Sequence, residues 1–155
     1  MVRLSHEATL LLLLLAAQNT PSDKNPNLAA FMEEASILLN HESLKVKQAL
    51  RELHEANLIN INPDDPLIAD AIVKQSGVML FLDKMNMVPD FVYMTQKLHM
   101  QGLIKLVNLA MTELLTRVTK NGNVVFYQSH GKPNNLWRML KDISFGIDHA
   151  IEKEQ

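Results

Sequence analysis

Six consecutive leucines, Leu10 to Leu15, stand near the amino terminus inside a ten-residue apolar run from Ala8 to Ala17. Nothing else in the chain limits its fold so tightly. As a helix the run is about 15 Å long, half of the roughly 30 Å of a bilayer's hydrocarbon core, so it does not span a membrane. Arg3 ahead of the run and small residues after it resemble a secretory signal, but Glu7 lies at its edge and Leu15 sits poorly for a cut after Ala17. The run therefore reads as a core helix of a cytoplasmic protein. Ser5 is placed to cap it, Glu7 to complement its N-terminal dipole, and Asn19 with Pro21 to end it.

A helix that is apolar nearly all round must be covered all round. Leu10, Leu13, Leu14 and Ala17 line one side, and Leu11, Leu12 and Leu15 the other. With 155 residues in the chain, one side is assigned to the helix's own domain and the other to a second domain or subunit. The absence of cysteine excludes disulfides and thiolate metal sites, and the nine methionines suit an adaptable helical interior. A formal charge of −2 gives no global attraction to nucleic acid, so any such binding needs a local basic surface.

Further along, "TPSDKNPN" (residues 20–27) is loop chemistry. Leu28, Phe31, Ala35, Leu38 and Leu39 then fall at helical spacing, "NHE" breaks the pattern, and Val46, Leu50 and Leu53 form the stripe of a third helix. Asn57 is placed to end that helix in the left-handed conformation, and "LINI" (residues 58–61) alternates as a short strand does. Asp65 and Pro66 predict a helix carrying Leu67, Ile68, Ile72, Met79 and Leu82 towards Asn86, weakened at Ser76-Gly77. "VPDFVYMTQKLHMQG" predicts another helix, and "LIKLVNLAMTELLTRVTKNGNVVFYQS" a helix running into a strand. An offset of 65 sets Asn57 over Gly122 and pairs Val46 with Met111, Leu50 with Leu115, Leu53 with Val118 and Ile59 with Val124. "FYQSHGKPNN" reads as a hairpin tip, and Leu136, Leu140, Ile143, Ile147 and Ile151 give a closing helix one apolar side.

Helix, loop, helix, turn, helix and then a strand opened by Asn or Gly resembles a winged helix. The resemblance rests on "VKQALRELHEANLINI" and "MTELLTRVTKNGNVVFYQ" and covers residues 5–62 and 66–130. It implies a mainly α fold with short β wings: one unit over residues 1–64, a second over 65–134, and a C-terminal helix over 135–155. After Ile61 the chain goes on as "NPDDPL", so the first unit shows no full wing hairpin.

In that family the third helix enters the DNA major groove, which here points to Lys45, Lys47, Gln48 and Arg51. Glu52 and Glu55 follow at once, as on an ordinary solvated face. The matching positions of the second unit, Leu109, Ala110, Thr112, Glu113 and Thr116, suit packing or a partner better than phosphate. Arg117, Lys120, Lys132, Arg138 and Lys141 form a stretch without Asp or Glu, and a wing tip with His130 and Lys132 could clamp a phosphate backbone.

No phosphate loop or HExxH motif occurs, and the six histidines lack metal-ligand spacing. The sequence thus predicts a protein that is no enzyme and needs no cofactor, metal or membrane. The leading expectation is a cytoplasmic homodimer that binds double-stranded DNA and regulates transcription or DNA maintenance. Its subunits are expected to meet through Leu11, Leu12 and Leu15 and the closing helix, where Trp137 lies off the main stripe, with Leu109 as a further partner contact. The alternatives are a protein-binding adaptor similar to the kleisin-binding subunits of chromosome condensation complexes, or a replication initiator.

Overall fold

The computed structural model describes residues 3–18, 28–61, 68–71, 77–123, 126 and 131–154. Among them are α1 (His6–Gln18), α2 (Leu28–Leu38), α3 (Ser43–Glu55), β1 (Ile59–Ile61), β2 (Ile68–Ala71), α4 (Val78–Lys84), α5 (Phe91–Lys97), α6 (Met100–Asn121) and α7 (Asn135–Glu154). The chain is mainly helical, as expected, but the expected β wings are not borne out: the described strands β1 and β2 form one two-stranded ribbon between α3 and α4.

The leucine run is the axis of the fold. Leu10 to Leu15 are each at most 1% exposed, because α1 is wrapped by α2, α3 and α6 of the same chain. Each such burial contributes roughly 1.5–3 kcal/mol. This corrects the expected subunit interface. Leu11, Leu12 and Leu15 belong to the core, as does Leu109 on α6, so the cover expected from a second domain or subunit comes from helices of the same chain, α6 of the expected second unit among them. Buried residues of α1 to α7 form one continuous cluster, shared by the two stretches expected to be separate units.

Helix ends are fixed by two devices. One is local. Asn40, Asn57 and Asn86 take φ of 61°, 59° and 54° just beyond α2, α3 and α4, and Gly122 takes 75° beyond α6. After α3 the Leu58 N–H donates to Leu53 O at 3.0 Å, and after α4 the Met87 N–H donates to Leu82 O at 2.9 Å. These bonds satisfy carbonyls that a helix end leaves open, and asparagine tolerates the left-handed turn better than other side chains.

The second device joins elements. Ser5 caps α1 by accepting from the Ala8 N–H at 3.2 Å, and its own N–H and hydroxyl donate to Glu52 of α3 at 2.6 and 2.7 Å. Glu34 of α2 accepts from the His99 N–H at the start of α6 (3.3 Å). Glu113 of α6 accepts from Met79 and Leu80 in the first turn of α4, both at 3.1 Å. Asp83 of α4 accepts from the Asn135 N–H at the start of α7 (2.8 Å). In four places a carboxylate on one helix meets the N-terminal donors and positive dipole end of another, which fixes how the two helices meet.

Two expectations fail. The helix expected from Asp65 and Pro66 does not run through: residues 68–71 are a strand and the helix begins after Gly77. Its predicted start at 65–67 and Ile72 lie outside the described residues. β2 pairs antiparallel with β1, Ile59 opposite Ala71 and Ile61 opposite Ile68, with an irregularity between Asn60 and Ile61. The open backbone edge of β1 offers Ile68–Ala71 a ladder that apolar spacing in sequence does not reveal. The 65-residue repeat also fails in packing. Val46 and Leu53 are buried on α3, whereas their counterparts Met111 and Val118, with Leu115, are exposed on α6. Val124 lies outside the described residues, as do Asn19, Pro21 and His130.

Candidate interaction surfaces

On α3 the buried residues Val46, Ala49 and Leu53 face the core. Lys47, Gln48 and Arg51 are exposed together on the opposite side, beside His54 and Glu55. Lys45 is set apart from them. It is half-buried, its Nζ lies 3.5 Å from Glu42 Oε2, and it lines a hollow of about 200 Å³ with His6, Glu7, Leu10, Leu38, Leu39, Asn40, Asp90 and Tyr93. Leu44, 65% exposed, stands among the polar residues of the outer face. Glu52 does not share that face, because it is bound to Ser5.

The basic stretch from Arg117 to Lys141 does not form one surface. Arg117 is 14% exposed and donates from Nη2 to Glu113 at 2.9 Å; it neutralises a buried carboxylate rather than facing solvent. Arg138 is half-buried and donates from Nε to Pro133 O at 3.2 Å. Burial raises the Asp83 carboxyl above its usual range, opposed first by the bond from the Asn135 N–H and then by both arginines. Burial likewise raises Glu113 and Asp142, with Arg117 and Lys141 respectively opposing it. The counter-charges missing from the sequence stretch are thus supplied in space by Asp83 and Glu113, on α4 and α6. Lys132 and Lys141 are exposed, and the side chain of Lys120 lies outside the description.

On α6 the exposed face is not the one its sequence pattern predicts. The positions expected to face outward include Leu109, Ala110 and Glu113, all of which are buried. The outer face instead holds Ile104, Asn108, Met111, Leu115 and Val118, with Met100 and Gln101 at its start. Of ten large apolar side chains exposed among the described residues, five are on this helix, and they line up rather than scatter. At 1.5 Å per residue, Met100 to Val118 spans about 27 Å. No Asp or Glu stands on that face, since the helix's one carboxylate, Glu113, points inward. Beside it, Val107 and Ala110 join Leu140, Ile143, Ser144 and Asp148 of α7 around an apolar hollow of about 240 Å³. Trp137, 37% exposed, is partly covered by Phe126, the ring centres 5.4 Å apart.

Among the described residues no three His, Asp or Glu side chains converge as a metal site would require. No described helix is long and apolar enough to cross a membrane. Comparison with known proteins finds no matching family, no similar curated protein and no similar solved structure.

Proposed function

We propose that this protein is a non-catalytic adaptor that binds a helical segment of another polypeptide along the outer face of α6. The observation that carries this reading is the aligned exposure of Ile104, Met111, Leu115 and Val118. A line of apolar side chains about 21 Å long is the form an amphipathic partner helix engages, through anchors three and four residues apart. Isolated exposed leucines need no explanation, whereas a contiguous patch does.

DNA binding is the second reading, favoured by the common exposure of Lys47, Gln48 and Arg51 on α3. The order α3, β1, β2 favours it to the extent that a helix followed by an antiparallel ribbon is the order the winged-helix resemblance implies. The surface charge supports it less, because Arg117 is engaged internally and Leu44 interrupts the polar face.

One comparison tests both. A fluorescent synthetic peptide with leucine every three to four residues is titrated with the protein, and a random DNA duplex is titrated in parallel at several salt concentrations. The adaptor reading expects peptide binding that weakens at least about tenfold in Leu115→Lys, the loss of one central anchor. Strong, salt-dependent duplex binding that is lost in Arg51→Ala, with no peptide binding, overturns it in favour of DNA.

A further inference from the structure

We infer that the occupant of the α6 face is a second copy of this chain, its α6 lying parallel and in register, with Asn108 opposite Asn108. The inference rests on the reading of α6 as a docking helix and names the partner.

The exposed side chains follow the 3.5-residue spacing of a coiled-coil seam. Gln101, Asn108 and Leu115 are seven apart, and Ile104, Met111 and Val118 interleave with them. The face is thus a two-residue seam running along a helix of 22 residues, not a general apolar patch. Asn108, exposed at its middle, decides the partner. Against a wholly apolar helix its amide would be buried without a hydrogen bond. Against its own copy in parallel register, amide meets amide, the arrangement by which a single asparagine fixes register in paired helices.

Charge separates parallel from antiparallel pairing. One flank of the seam carries Lys105, followed by Thr112 and Thr119; the other carries Met100, Val107 and Leu114 and is bordered by the exposed Asp148 of α7. Parallel two-fold pairing lays the first flank of each copy along the second flank of the other, so the lysine side meets the aspartate side twice. Antiparallel pairing sets like flanks together. Area sets the strength. A seam about 26 Å long and about 10 Å wide presents about 260 Å² in projection, less than the roughly 800 Å² that each partner gives to a standard interface. The dimer is therefore a weak one that forms reversibly with concentration.

Sedimentation of the full chain over a wide concentration range is expected to show a monomer–dimer equilibrium that Leu115→Lys shifts at least tenfold towards monomer. Far-UV circular dichroism and the unfolding midpoint of that variant should be unchanged, since Leu115 packs little in the monomer. The chain has no cysteine, so single replacements report orientation cleanly. Under mild oxidation Ile104→Cys and Val118→Cys should each link to themselves, because parallel register brings like positions within the 4.4–6.8 Å that a disulfide requires.

A mixture that links Ile104→Cys to Leu115→Cys while neither links to itself would establish antiparallel pairing and overturn the register. A dimer that survives Leu115→Lys would place the contact elsewhere. A monomer at every concentration that still binds the leucine-rich peptide along α6 would overturn self-pairing and leave the adaptor reading standing, while loss of both removes the two together.

Discussion

Glu113 is fully buried, yet it holds the first turn of α4 through Met79 and Leu80 and holds Arg117 through its guanidinium. Glu113→Ala is expected to cost about 3–5 kcal/mol, because two backbone donors and one arginine lose their acceptor together. Urea unfolding followed by circular dichroism measures the loss, and a midpoint unchanged from the parent would show that these bonds do not hold α4. Position 113 was readable in the sequence only as a helical glutamate. Its neighbours Leu109 and Ala110 are apolar, but nothing local shows that α4 starts over them.

Among the elements, α1 and α6 make the instructive pair, because both carry apolar side chains on more than one side. α1 is covered completely; α6 buries Leu103, Leu106 and Leu109 and leaves Ile104, Met111, Leu115 and Val118 outside. The same substitution should therefore give opposite results in the two helices. Leu13→Asp buries a charge without a partner, a cost of several kcal/mol against a total stability of about 5–15 kcal/mol. Leu115→Asp changes an exposed site and should stay within about 0.5 kcal/mol for the monomer. Thermal melting at low protein concentration compares them, and equal melting temperatures would contradict the assigned burial. The helix-ending role of Asn57 and Gly122 and the capping role of Ser5 were legible because each depends on one residue's own conformation or hydrogen bonding. The phase of α6 was not legible, because two apolar stripes on one helix give its periodicity no single inward direction.

At the scale of the whole molecule, Asp83, Glu113 and Asp142 lie on α4, α6 and α7, and burial raises all three above their ordinary values of 3.8, 4.5 and 3.8. A carboxyl raised in the folded state holds its proton more tightly there than when unfolded. Its contribution is complete below the unfolded pKa and is lost as pH rises through the folded pKa. These groups therefore favour the folded state fully below about pH 4, and the contribution fades as pH rises from there until each ionises in the folded chain. The urea midpoint is expected to be at least as high at pH 5 as at pH 7, and Glu113→Gln should reduce the difference between the two. A steep fall in stability from pH 7 to pH 5 would count against protonation of these buried groups.

Local sequence was enough to show that the chain is mainly helical, that Leu10–Leu15 form an internal helix too short to cross a membrane, and where α3 and α6 end. Those outcomes follow from hydropathy, chain length and local turn chemistry, which act over a few residues. Tertiary structure decided what covers α1, which side of α6 faces out, and which charges are internal. Arg117 counts as surface charge only until Glu113 is placed beside it, and Leu11 as a subunit contact only until the chain's other helices close over α1. Exposure depends on contacts between residues far apart in the chain, such as Glu52 with Ser5 or Glu113 with Met79, and a one-dimensional pattern does not contain those distances.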